Sequence, residues 1–244
     1  MNHNEDPNIL VHPRKNKGER PVPDTGVLLV NPSEAARAHK LLKEGGGKSR
    51  FLFNSKLSIA QDRSFFVAGP SIGAPMAVLS LEKLIALGAK RIILFGWCGA
   101  IAKNLSVGDM LIPSASLSGE GTSLYYTGDN QVSPSSRLNT VLGDLLLGNK
   151  LSFSDGCVWS TDALYREDRR FLDSLQVDKS VSAVDMEFSA LCSVANFRKI
   201  QFSALLVVSD ELWGTSWKPG FTSAKFKQQC DTALMLLLEN INHI

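Results

Sequence analysis

The chain has 244 residues, 44% apolar and 20% charged, with a formal net charge of +2. That length can bury the core of a single α/β domain, and a charge so close to neutral argues against a nucleic-acid surface. No apolar run reaches membrane-spanning length, and the polar opening MNHNEDPNIL lacks the apolar core of a signal peptide. Cys98, Cys157, Cys192 and Cys230 are far apart and show no metal-ligand pairing. They read as reduced core thiols of a cytoplasmic protein, and no metal is expected.

Residues 1–25 are polar and carry Pro7, Pro13, Pro21 and Pro23, which predicts an arm outside a domain spanning 26–244. The basic residues from Arg14 to Arg20 read either as a solvated face or as an anion contact. Gly26 to Val30 is a short apolar strand, and Asn31-Pro32-Ser33 turns it into an alanine-rich helix through Leu42. Strand, turn and helix in that order present free backbone N–H groups, a common anion site. Gly45-Gly46-Gly47 reads as a flexible joint, without the upstream glycine of a Walker loop. Arg50, just beyond it, is either a surface residue or an anion contact.

Phe65 to Ala68 predicts a strand, 69–75 (GPSIGAP) a tight turn, and Met76 to Leu87 a helix closed by Gly88. Val78, Leu81, Leu84 and Ile85 fall on one face of that helix. Arg91 to Phe95 reads as a buried strand opening into a glycine-rich turn, Gly96 to Ala100, where a ligand can approach the backbone closely. Gly108 and Asp109 turn the chain. Ser114 to Ser136 is a polar stretch expected as a mobile loop. Leu138 to Leu147 has helix character, and Phe153 to Val158 predicts a strand leading into WSTDALYRED.

Between Ala183 and Trp213 two acids reach the ends of elements. An amphipathic helix, with Leu191, Val194 and Ala195 on its apolar face, follows Glu187, and the helix dipole favours a carboxylate at that end. Phe202 to Val208 reads as a strand buried on both faces, and Ser209 and Asp210 come straight after it, where ligands of α/β sheets sit. From spacing alone, a first-turn helix acid and a turn cap describe Glu187 and Asp210 equally well. ELWGTSWKPGF then reads as a lid-like loop. A last helix, from Ser223 to about Asn242, buries Phe226, Cys230, Ala233, Leu234 and Leu237.

VDMEFSAL, followed by a strand and VVSD, resembles the signature region of the purine nucleoside phosphorylase and uridine phosphorylase family. That family includes the nucleosidases that hydrolyse methylthioadenosine and S-adenosylhomocysteine. GAKRIILFGWCGAI and VGDMLIP resemble two further segments of it, in the same order. The resemblance runs from about Gly26 to the C-terminus. It implies a single-domain three-layer α/β/α fold with a mixed, twisted central sheet. It also implies a small-molecule nucleoside as partner and a homo-oligomer, dimer or hexamer, whose neighbour helps close the pocket.

For the site, the resemblance implies that Met186 and Glu187 contact ribose and that Asp210, beside Ser209, protonates a purine base. Trp159 would stack on the base, and Cys98 and Gly99 would form one wall of the pocket. Asp162 would orient a loop, while Tyr165 and Arg166 either reach the ligand or stay exposed. Two departures concern the anion. The family's G-D-P-x-R turn is VNPSEAAR here, and Leu94 and Trp97 replace an arginine and a serine or threonine. Leucine cannot offer the donor fork of a guanidinium, and Trp97 is bulky enough to fill the space of an anion. Asn31 and Arg50, the latter reaching across a subunit boundary, remain as candidate phosphate contacts. The expected activity is cleavage of the N-glycosidic bond of a purine nucleoside. Family default is phosphorolysis, with no cofactor beyond inorganic phosphate as co-substrate. Hydrolysis and silent nucleoside binding are the alternatives.

Overall fold

The structure is a computed structural model that describes residues 8–53 and 55–244. β1 (Thr25–Leu29) is buried at every position and leads into α1 (Pro32–Glu44), where Pro32 sits in the first turn and needs no N–H partner. β2 (Lys48–Leu52) and β3 (Ser55–Ile59) form an antiparallel hairpin. The three glycines before it are a packed turn rather than a flexible joint. A side chain on Gly47 would lie 2.6 Å from the Leu42 carbonyl oxygen and 2.7 Å from that of Ile59.

β4 (Phe66–Gly69), α2 (Ala74–Ala86), β5 (Arg91–Ala100) and β6 (Met110–Gly119) follow. Next come β7 (Gln131–Val132), α3 (Ser136–Gly148), β8 (Ser154–Thr161), α4 (Arg169–Lys179) and β9 (Val181–Asp185). The chain ends with α5 (Phe188–Arg198), β10 (Gln201–Glu211), β11 (Lys218–Pro219) and α6 (Ala224–Asn240).

The strands form one mixed sheet in the order β11-β10-β6-β8-β9-β5-β1-β4-β3-β2, with β7 on the edge of β6. β10 also pairs with β5, so β10, β6, β8, β9 and β5 close into a ring. Alternation along the strands sends successive side chains to opposite faces. Leu28, Leu94 and Leu206 pack under α2 and α5. Val27, Ile93 and Val207 pack under α1, α3 and α6. This is the expected three-layer arrangement.

Several boundaries differ from the sequence expectation for one reason. β5 and β10 pair in parallel from Arg91↔Gln201 to Ala100↔Glu211, so both continue past the end of their apolar runs. The glycine-rich segment 96–100 is therefore strand, and Ser209 and Asp210 lie within β10. Likewise Trp159 lies within β8, and Ser114 to Gly119 belong to β6 rather than to a mobile loop. Phe188 to Ala195 of α5 are all buried, because this helix packs against α2 and against β6, β8 and β10; it is not amphipathic there.

Residues 8–24 carry no helix or strand but lie along the domain. Val22 is buried, and Lys83 Nζ donates to a Glu19 carboxylate oxygen and to the Arg14 carbonyl, both at 2.6 Å. Among the described residues no helix is long and apolar enough to cross a membrane.

Candidate active site

Two strands share one edge of β5. β1 pairs in parallel with Arg91–Phe95, and β9 pairs antiparallel with Gly99–Ala100. Their carboxyl ends therefore converge on Gly96–Cys98, leaving a split in the sheet of the kind that holds ligands in α/β proteins. Val30 and Asn31 leave β1 there, and Met186 and Glu187 leave β9. The turn after β4 arrives at the same place: Gly73 N–H donates to Glu187 Oε1 at 2.6 Å. His39 fixes the start of that turn. Its Nε2–H donates to the Gly69 carbonyl at 2.9 Å, and its Nδ1 faces Ser58 Oγ at 2.8 Å.

Glu187 is buried, and Met186 beside it is half-buried. Asp185 is buried as well, and the sequence reasoning missed it. Its carboxylate accepts from Ser160 Oγ at 2.5 Å and from Phe188 N–H at 2.8 Å. Ser160 Oγ in turn accepts from Ser189 N–H. Behind them Glu120 accepts from Ser189 Oγ at 2.9 Å, from Thr122 N–H at 2.6 Å and from the Ser123 hydroxyl. Those donors hold its carboxyl below the usual range despite burial. The first turn of α5, and with it Glu187, is thus seated on a satisfied polar network. Burial pushes both Asp185 and Glu187 up, and the Asp185 charge pushes Glu187 further. With more donors on Asp185, the negative charge of this pair rests there and the proton on Glu187.

Asp210 approaches from the other edge of β5. A bulge at Ser209, between Val208↔Cys98 and Asp210↔Gly99, re-aims its side chain. Ser209 Oγ donates to Asp210 Oδ1 at 2.6 Å, with the Cys98 carbonyl at 3.2 Å, and Trp217 Nε1 donates to Oδ2 at 2.8 Å. Gly99 makes room for this arrangement. A Cβ there would lie 3.2 Å from Asp210 Oδ2, 3.2 Å from Val184 and 2.8 Å from Leu212. Cys98 is buried, with its thiol pushed well up by burial, so it contributes through its backbone.

Val184 and Leu212 belong to a cluster with Trp159, Leu172 and Leu175. Trp159 therefore lies at the Asp210 end. Its indole is only 7% exposed, covered by Gly119 and by Phe171 at 5.3 Å between ring centroids. Asp162 accepts from Gly121 N–H and ties two loops together, while Tyr165 and Arg166 are exposed. Glu167, next in the chain, was not singled out from the sequence. Its Oε1 is buried without a hydrogen-bond partner. Burial, and then the Asp210 charge, pushes this carboxyl up to about 7.

Of the two anion candidates, Arg50 is placed apart from the site and Asn31 is not; Arg37, the arginine of VNPSEAAR, is engaged elsewhere. Arg37 pairs with Asp231 of α6 at 2.6 Å, and Arg50 on β2 donates to the Arg20 carbonyl at 2.6 Å. Within one chain Arg50 is separated from β5 by β3, β4 and β1. Asn31 sits at the split, its Oδ1 buried without a partner. The first turn of α1 already holds the Glu34 carboxyl, to which Ser33 Oγ donates at 2.8 Å. Trp97 does not fill the space beside Glu187, as its bulk suggested. Alternation turns it to the α6 face, edge-on to Phe226 at 5.1 Å, while Leu94 and Cys98 point to the α5 face. Among the described residues no group of three or more His, Cys, Asp or Glu is arranged to hold a metal ion.

The family model described as the phosphorylase superfamily matches residues 24–240. A purine nucleoside phosphorylase of the DeoD type from Buchnera aphidicola is 22% identical over 226 residues, 89% of this chain and 95% of that one. The crystal structure of purine nucleoside phosphorylase from Toxoplasma gondii, in complex with immucillin-H, superposes with a TM-score of 0.77 at 19% identity over 91% of both chains. The methylthioadenosine/S-adenosylhomocysteine nucleosidase of Helicobacter pylori superposes with a TM-score of 0.74 at 16% identity, over 91% of this chain and 99% of that one. At these identities the structural likeness is one of fold.

Proposed function

Because the chain belongs to the phosphorylase superfamily, we propose that it cleaves the N-glycosidic bond of a purine nucleoside. The observation that carries this reading is the meeting of Glu187 and Asp210 on opposite edges of β5, across the glycine-containing segment 96–99. Cleavage builds positive charge on the sugar and negative charge on the base. Glu187, with Met186 against the sugar, accepts from the ribose hydroxyls, and the charge it shares with Asp185 favours the cationic transition state. Asp210, held by Ser209, protonates the leaving base, general acid work worth about 10²- to 10⁴-fold in rate. Trp159 bounds the base end, where α4 and the strand edge at Gly119 must yield for a base to reach its face.

The attacking group in this reading is water. Phosphorolysis, the default of the family, needs cationic donors. Here Arg37 is drawn to Asp231, Leu94 stands in the core, and Glu34 occupies the first turn of α1. The one route back to phosphate is Arg50 of a neighbouring subunit, with Asn31 as the second contact. A homo-oligomer is part of the proposal. A groove of about 1070 Å³ beside β2 is lined by Phe51, Phe53, Leu79, Tyr125 and Phe197, all exposed in the single chain, and a second copy would cover them. No organic cofactor enters the scheme. Four free, buried cysteines accord with a cytoplasmic setting.

Base release from inosine, adenosine, guanosine, methylthioadenosine and uridine, with and without phosphate, tests the reading. Free ribose or its 5′-thio analogue without phosphate is the expected product. Ribose 1-phosphate formed only with phosphate would return the enzyme to the default reaction. No base from any of them would leave a nucleoside binder.

A further inference from the structure

The loop between β10 and β11 lays an indole on Asp210, whose two oxygens are not equivalent. Oδ1 lies 2.6 Å from Ser209 Oγ. That hydroxyl can accept a proton-bearing Oδ1 and then donate to the Cys98 carbonyl at 3.2 Å, or it can donate to a bare Oδ1. Oδ2 is turned toward the pocket wall, 3.2 Å from where a Cβ on Gly99 would lie. A base standing over segment 96–99 must address Oδ2, and Trp217 Nε1 already donates to it at 2.8 Å. An indole N–H can only donate, so while it is in place any proton of Asp210 stays on Oδ1, beside Ser209 and away from the base.

Little else holds that indole. Trp217 is 56% exposed, and its ring meets Phe221 at 5.9 Å between centroids. The chain is anchored on both sides of it. Trp213 packs against the core, and its Nε1 donates to the Leu105 carbonyl at 3.1 Å. Lys218 and Pro219 pair with Glu211 and Asp210, and Lys218 Nζ donates to the Glu211 carboxylate at 2.9 Å. Between these anchors Gly214, Thr215 and Ser216 make no hydrogen bond among the described residues, so the indole can leave Asp210 without unpairing a strand. Its donor also matches the expected ligand. A purine joined to its sugar through N9 keeps N7 in the five-membered ring, and once protonated that nitrogen is an N–H in a fused bicycle, as indole Nε1–H is.

We propose that Trp217 is a built-in surrogate of the leaving base, its indole N–H holding in the resting enzyme the Asp210 oxygen that a purine takes by displacing it. Once the indole is gone, Ser209 Oγ donates to Oδ1 and the Asp210 proton sits on Oδ2, facing the base. As the C1′–N9 bond breaks, its electron pair goes to the base, N7 takes the proton from Oδ2, and Asp210 is left as a carboxylate. The indole N–H returns to that oxygen as the base leaves. Asp210 regains a proton from solvent, matched by the proton that the attacking water loses. The site thus exchanges one ring N–H for another and selects for a nitrogen at position 7. The inference rests on Asp210 facing the base.

The test is the affinity of wild type and Trp217→Phe, by isothermal titration, for 9-deazainosine and 7-deazainosine and for the matching adenosine pair. The 9-deaza analogues have a carbon–carbon bond to the sugar and present N–H at position 7; the 7-deaza analogues present C–H there. Phenylalanine keeps a ring but has no donor. Trp217→Phe should bind a 9-deaza analogue about 2- to 10-fold more tightly than wild type, the equivalent of one hydrogen bond no longer displaced, and a 7-deaza analogue equally well. Wild-type tryptophan emission should change with the 9-deaza analogue, and the variant should lack that part of the change. Unchanged or weaker binding of the 9-deaza analogues by the variant would mean that the indole stays on Asp210 beside the base, and an equal gain for both analogues would reduce it to a steric cover; either result overturns the proposal. A wild-type protein that binds neither analogue and releases base from no nucleoside would instead remove the reading beneath it.

Discussion

Replacing Glu187 by glutamine should make the protein more stable at neutral pH while weakening nucleoside binding. Asp185 and Glu187 are 6% and 4% exposed, two residues apart, and cannot both ionise without mutual repulsion. Their native titration therefore lies above that of the unfolded chain, where each carboxyl has its ordinary value. Between pH about 4.5 and the native titration the unfolded chain has released a proton that the folded pair still holds. Stability must then fall as pH rises through that window. Burial and the Asp185 charge push Glu187 up to about 8, so the stability lost across the window is on the order of a few kcal/mol. In the variant Asp185 keeps Ser160 and Phe188 N–H but loses its repulsive neighbour, so its titration drops and the decline flattens. Urea unfolding at pH 5, 6, 7 and 8 reads the effect directly. An equal decline in wild type and variant, or wild-type stability that rises across the window, would refute the argument.

Two further substitutions probe the close contacts of β5. Gly99→Ala places a methyl group 2.8 Å from Leu212 and 3.2 Å from Asp210 Oδ2, so it should cost about 1–3 kcal/mol in urea and lower kcat by displacing the acid. Unchanged kcat would show that Asp210 does not depend on that space. Trp97→Ser removes the indole that packs on Phe226, and should cost about 3–5 kcal/mol of stability without creating a phosphate requirement. A gain of phosphate dependence in steady-state assays would place Trp97 on the ligand face after all.

The layers of the fold and the two principal acids were legible locally. Apolar runs of five to seven residues marked β1, β5 and β10, and the chain after β9 announced a helix start behind Glu187. Strand ends were not legible, because a strand stops where its neighbour stops. Segment 96–100 looks like a turn by composition and is strand only because β10 lies beside it, residue for residue, from a point 110 positions further on. The face of Trp97 was within reach of the sequence. In β5, residues 94 and 98 share a side that residue 97 cannot, and size alone suggested the opposite conclusion.

Asp185, Glu120 and Glu167 carried no local signal of that kind. Ser160 is 25 positions from Asp185 and Ser189 is 69 from Glu120, and each carboxyl is defined by those partners. The site itself depends on a single long-range feature. β9 meets β5 antiparallel at Gly99–Ala100, just beyond the place where β1 lets go of the same edge, while β10 runs along the other edge. Had β1 continued to residue 99, Glu187 would have had no opening to enter and Gly73 could not have reached it. Closing the ring of five strands is thus what brings two acids far apart in sequence to opposite edges of β5 in the candidate site. The bulge at Ser209 then turns Asp210 toward Gly99, because an unbulged β10 would send it to the face shared by Val208 and Cys98.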